Sequence, residues 1–102
     1  MSDRPELLTG WLKILYSMRA RADWMQYPSD DRILELLEES GLILSPSIMS
    51  ANLDLTRQHI SSRLSELLDH DMVEKTDTGQ GHYRITEKGE AYLVGELNED
   101  DL

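Results

Sequence analysis

Between Leu55 and Ser65 the chain places Thr56, Arg57, Gln58, His59, Ser61, Ser62 and Arg63, and no carboxylate. Guanidinium, amide and hydroxyl groups at this density suit anionic oxygens and base edges: arginine forks onto guanine, glutamine onto adenine, hydroxyls onto phosphate. Other chemistries fit the same residues less well. His59 and His70 lie eleven apart and His82 falls in a different segment, without the i, i+4 or close-loop spacing of a metal-ligand set. Ser61 and Ser62 have no His–acid partner nearby in sequence. Gly79-Gln80-Gly81 is too short to cradle a phosphate. With no Cys in the chain, disulfide and thiolate chemistry is excluded. The residues therefore point to binding rather than to an enzyme, and no cofactor, metal or small-molecule effector is expected. The plain alternative is a solvated helix face, since Ser, Gln and Arg are ordinary surface residues. The hairpin pattern directly after this helix weighs against it.

The elements that must position these side chains are written in residues 45–84. Ser45 can cap a helix whose first residue is Pro46, where a missing N–H costs nothing. Met49 and Leu53 share one face of it, and Ser50 is small enough to admit a neighbour. Asp54 tolerates the left-handed backbone of a sharp turn, and Thr56 caps the next helix. In that helix Ile60, Leu64, Leu67 and Leu68 recur at helical spacing and face the core. Gln58, Ser62, Ser65 and Asp69 take the far side, flanked by His59, Ser61 and Arg63. The acids Glu66 and Asp69 come only in its second half, so its leading end is positive and hydroxyl-rich, as suits a helix aimed at phosphates and bases. Residues 72–76 and 82–85 then read as strands joined through Asp77, Thr78, Gly79, Gln80 and Gly81, with Gly where positive φ is needed. Lys75, Gln80, His82 and Arg84 lie on or beside this hairpin, where they can reach phosphate or the minor groove.

The remaining segments supply support. Leu7, Leu8, Trp11, Leu12, Leu15 and Met18 recur at helical spacing, and residues 9–22 carry Lys13, Arg19 and Arg21 without an acid, which predicts an amphipathic basic N-terminal helix. Its apolar face could simply pack on the domain's own helices; the reading favoured is that it joins the C-terminal helix in a dimer interface, with Arg19 and Arg21 near the DNA backbone. Trp24, Met25 and Tyr27 form an aromatic-rich connector before Pro28. Ser29 is expected to cap a helix in which Asp30 and Asp31 favour the dipole, Ile33, Leu34, Leu36 and Leu37 are buried, and Gly41 is the stop. Leu42-Ile43-Leu44 is a short strand candidate pairing with the hairpin. Thr86 should cap a last helix running through Ala91, Tyr92, Leu93 and Leu97, followed by a frayed acidic tail.

At 102 residues the chain fits one domain. No apolar run reaches membrane-spanning length and no signal peptide is visible, so a cytoplasmic protein without membrane contact is expected. The net charge of -10 opposes DNA binding averaged over the surface. However, the acids gather in residues 30–39, 66–77 and 96–101. Twenty Asp and Glu, ten Lys and Arg, and no Phe resemble the composition of halophilic proteins, whose acidic surfaces keep them soluble when salt screens the charge.

Taken together, residues 22–102 resemble the small haloarchaeal winged-helix proteins related to the repressor of the halovirus phiH. The matching residues are Ala22-Asp23-Trp24-Met25, Asp30-Asp31-Arg32-Ile33-Leu34-Glu35, Ser45-Pro46-Ser47, Asn52-Leu53, Arg57, Ser61, Arg63-Leu64, Val73-Glu74, Tyr83-Arg84-Ile85-Thr86-Glu87-Lys88-Gly89 and Gly95-Glu96-Leu97. Asp54 and Asp71 stand where such proteins commonly carry Gly, and Ser62 where many carry a second Arg. The resemblance therefore bears on the fold more than on the site read. The expected fold is mainly α with a small β-hairpin, a winged helix-turn-helix with an extra N-terminal helix. Its parts are an N-terminal amphipathic helix and possible dimerisation arm at 1–21, the winged domain at 22–97 and an acidic tail at 98–102. The expected function is that of a sequence-specific DNA-binding regulator, a repressor acting as a homodimer on double-stranded DNA. Arg57, Gln58 and Ser62 would read bases. Thr56, His59, Ser61, Arg63, Lys75, Gln80, His82 and Arg84 would hold the backbone. The alternative is a winged helix used for protein–protein contact without DNA.

Overall fold

The computed structural model describes residues 19–76 and 81–102. Of the expected N-terminal amphipathic helix only residues 19–21 are described, and they are not helical; the rest of it, and Gln80 of the expected hairpin loop, lie outside the described residues. Within them the order is α1 (Ser29–Ser40), α2 (Pro46–Leu53), α3 (Arg57–Asp69), β1 (Val73–Lys75), β2 (Tyr83–Ile85), α4 (Glu87–Leu93) and a 3-10 turn (Glu99–Asp101).

Local chemistry explains the element ends. Ser45 accepts from the Ile48 N–H at 3.3 Å and Pro46 opens α2. Asp54, at φ 58°, turns the chain out of α2 in the left-handed region, where Asp is better tolerated than most residues. The Ser50 hydroxyl donates to the Leu55 carbonyl at 2.6 Å and closes that turn. Thr56 then accepts from the His59 N–H at 3.1 Å, satisfying one orphan donor at the start of α3. Asp71, at φ 62°, makes the corresponding turn into the hairpin. Gly41 stops α1 at φ 62°, its N–H donating to the Leu37 carbonyl at 3.1 Å.

α1, α2 and α3 close around Ile33, Leu34, Leu37, Met49, Leu53, Ile60, Leu64 and Leu67, with Met72, Val73, Tyr92 and Leu93 completing the core. The hairpin is antiparallel in the register Val73↔Ile85, Glu74↔Arg84, Lys75↔Tyr83, each strand shorter than its sequence pattern predicts. α4 lies tightly on it: a Cβ at Gly89 would stand 2.4 Å from the Met72 carbonyl oxygen and 2.7 Å from Ile85 Cγ1. Only hydrogen fits there.

Several expectations need correction. Ser29 does not cap α1. It is the first helical residue, Pro28 holds the cap position without a side-chain bond, and the Ser29 hydroxyl is hydrogen-bonded to His59 Nε2 at 3.1 Å instead. The strand expected at Leu42-Ile43-Leu44 reduces to one bridge, Leu44↔Tyr83, because Leu42 and Ile43 turn outward, 59% and 42% exposed. α4 ends at Leu93 rather than continuing to Leu97, and Gly95 at φ 78° reverses the chain. The acidic tail expected to fray takes the form of the 3-10 turn at Glu99–Asp101. Asn98 and Asp101 form a reciprocal capping box, and Leu102 packs against the core.

Candidate nucleic-acid interface

α3 divides its polar residues between two faces. Thr56, Arg57, Gln58, Ser61 and Ser62 are exposed and contiguous around its N-terminal end, and His59 is half-buried beside them. α3 has no acid in its first turn. The Arg57 Nη1 donates to Ser47 Oγ, near the start of α2, at 3.0 Å, so this side chain already leans on the preceding helix. Sequence reasoning missed Ser47 in this role; its signal was its place in the first turn of the helix before the turn.

Arg63 departs from the expected arrangement. It is 6% exposed, and its guanidinium forks onto Asp30, Nε to Oδ1 at 2.8 Å and Nη2 to Oδ2 at 3.0 Å, with Nη2 also donating to the Trp24 carbonyl at 2.9 Å. The hydrogen bond to Asp30 is the main cause holding the guanidinium above its ordinary pKa. An expected phosphate anchor is thus turned into the domain, bound to a carboxylate that is itself 0% exposed. Removing one partner of such a pair costs roughly 3–5 kcal/mol, because the other charge stays buried alone. The sequence did carry a signal: at about 100° per residue Arg63 sits only about 60° from Ile60, on the edge of the apolar stripe, and a guanidinium there needs a buried acid.

Asp31, next in α1, has the same fate. Arg19 Nη1 donates to it at 2.9 Å, Arg21 Nη1 at 2.6 Å and the Tyr92 hydroxyl at 2.7 Å. Arg19 Nη1 also reaches Glu35 at 2.8 Å, and its Nε donates to the Leu93 carbonyl at 2.7 Å. Asp30 and Asp31 stand in the first turn of α1, as expected, and are in addition ion-paired inside the domain. Arg19 and Arg21, expected near DNA, instead tie the start of the described chain to α1 and α4. Burial and the hydrogen bond to Asp31 push the Tyr92 phenol well above its ordinary pKa.

In the hairpin, Lys75 is exposed, with its ammonium 5.9 Å from the Tyr83 ring centroid. Arg84 pairs across the strands with Glu74, both ends in solvent, so the pair is weak and separable. His82 is half-buried, its Nδ1 without a hydrogen-bond partner. The His70 ring stacks on Trp24, centroids 3.8 Å apart and planes 2° apart. Among the described residues no cluster of His, Asp and Glu could hold a metal ion, and no helix is long and apolar enough to cross a membrane.

Residues 18–102 match the family model described as winged helix-turn-helix phage repressor. The chain is 37% identical over 87 residues to the repressor protein of Halobacterium phage phiH, covering 83% of this chain and 97% of that protein. It is also similar to the crystal structure of the PhiH1 repressor-like protein from Haloarcula marismortui, at 38% identity and a TM-score of 0.68 over 78% of this chain and 88% of that one.

Proposed function

Since this chain belongs to the winged helix-turn-helix phage repressor family, we propose that it is a sequence-specific DNA-binding transcriptional repressor. The N-terminal half of α3 enters the major groove, and the β1–β2 wing meets the backbone or minor groove. The observation that carries this reading is the exposed, acid-free end of α3, where Arg57, Gln58, Ser61 and Ser62 stand together on an otherwise acidic body. Arg57, Gln58 and Ser62 read base edges; Thr56, His59, Ser61, Lys75, Gln80, His82 and Arg84 approach phosphates. Arg63 supports the helix from behind. The protein acts as a homodimer on two half-sites about 34 Å apart or a multiple of that.

Selection from a random duplex pool in molar KCl tests the reading. A two-fold symmetric consensus is expected, and a pool that stays random contradicts it. Residues 19–102, made without the preceding segment but keeping Arg19 on Asp31, are expected to be monomeric by light scattering; an unchanged mass removes the arm from the interface. The protein-binding alternative keeps one observation in its favour, a surface groove of about 380 Å³ lined by Leu37, Leu42, Ile43, Ile85, Glu38 and Glu90, among others. Arg84 lines it as well, and the exposed Leu42 and Ile43 are the kind of apolar surface that suits a protein partner.

A further inference from the structure

We propose that residues 24–30, the connector together with the first two residues of α1, form a splint that fixes the axis of α3, and that Asp30 is a positioning residue for sequence discrimination although it faces away from the reading surface. The proposal rests on the DNA-reading role of α3.

Three side chains of α3 grip this one segment. His59 meets Ser29 at 3.1 Å, Arg63 meets Asp30 at 2.8 and 3.0 Å and the Trp24 carbonyl at 2.9 Å, and His70, at the C-terminal cap, stacks on the Trp24 ring at 3.8 Å. Positions 59, 63 and 70 are spaced by four and by seven residues, that is, about one and two further turns at 3.6 residues per turn. They therefore form a single edge, and this segment runs along it from the first turn of the helix to its cap. The spacing of eleven between His59 and His70 that argues against metal binding is the spacing of this edge.

Apolar contact is non-directional. The stripe of Ile60, Leu64 and Leu67 drives α3 onto α1 but leaves a small rotation or slide cheap. A planar guanidinium forked onto a carboxylate fixes both distance and angle, and a second and third attachment up to three turns apart fix the direction of the axis. The splint is itself anchored. Asp30 accepts from the Gln26 N–H at 3.1 Å, and Asp31 holds Arg19, Arg21 and Tyr92. Base reading needs donor placement within a fraction of an ångström. The acid at position 30 therefore contributes to which base is preferred, beyond its contribution to folding.

The test uses the full chain, a duplex selected by the native protein and that duplex's single-base-pair variants, with affinities read by fluorescence anisotropy in molar KCl. Asp30→Asn is expected to reduce discrimination between the selected duplex and its variants by about tenfold, while affinity for unrelated duplex stays within about threefold. Leu93→Ala, a core change in α4, serves as the stability control and is expected to leave discrimination unchanged at a similar loss of Tm. If Asp30→Asn does not fold, Asp30→Glu keeps the charge and pushes Arg63 back by one methylene; it is expected to shift or weaken the base preference. Native discrimination in whichever Asp30 variant folds, or equal loss in Leu93→Ala, overturns the splint while leaving the DNA-reading role intact. Absence of discrimination by the native chain overturns that role, and the splint with it.

Discussion

A guanidinium needs partners wherever it points, and Arg57 and Arg63 on α3 find them in opposite directions. Arg57 is exposed and lightly held by Ser47, an arrangement that leaves most of its donors for a ligand. Arg57→Ala is expected to weaken binding to the selected duplex by about 1–3 kcal/mol and relax preference at one base pair; equal loss on all sequences would reassign it to the backbone. Arg63 spends its donors on Asp30 and Trp24. The sequence placed both on α3 but not on their faces, because Arg63 and Leu68 lie at comparable angles on either edge of the apolar stripe, about 60° and 80° from Ile60. The buried partner decides which edge turns in, and that partner is distant in sequence. Tyr92 offers a second test on a single side chain. Its folded pKa lies above the ordinary value of 10.0, so the stability it contributes is complete below pH 10 and is lost as pH rises further. The unfolded chain releases that proton first, and stability should fall by about 1.4 kcal/mol per pH unit there. Tyr92→Phe should flatten the alkaline limb of a Tm-against-pH curve; an unchanged limb would mean that the phenol's proton is not linked to folding.

Among the elements, the caps and turns were the most legible features, because their chemistry is local. Ser45 with Pro46, Asp54, Thr56, Gly41 and Thr86 each end or begin an element as their side chains predict. Thr56→Ala is expected to cost about 0.5–2 kcal/mol and to speed hydrogen exchange at the His59 amide, which donates to it; unchanged exchange there would mean that the cap is held by other contacts. Less legible were features set by tertiary contact. Ser29 could cap α1 or bond to His59, and only the arrival of α3 selects the second. Nor does an apolar run such as Leu42-Ile43-Leu44 reveal that two of its three side chains are left in solvent. The approach of α4 to the hairpin at Gly89 depends on Met72 and Ile85, far from it in sequence or on the opposite side of the Thr86 cap.

Across the whole molecule the question is how a chain of net charge -10 approaches a polyanion. Internal pairing does not relieve it: Asp30, Asp31 and Glu35 are matched by Arg19, Arg21 and Arg63, so as many cations as acids are taken up inside the domain. Other acids crowd each other, since the hydrogen bond with Glu90 raises the Glu38 pKa. Such a molecule gains little from counterion release and is repelled at long range until salt screens it. Affinity for the selected duplex is therefore expected to fall only weakly as KCl rises toward molar concentration; a slope of several counterions per site would contradict this.

Whether the acid-free end of α3 and the wing form the surface that meets DNA is decided by backbone amide chemical shifts during titration with the selected duplex. Shifts are expected to concentrate at residues 56–62 and at 75 and 82, with the groove at Leu42, Ile43 and Glu90 unchanged. Shifts centred on that groove, with residues 56–62 silent, would contradict the assignment of α3 as the reading helix.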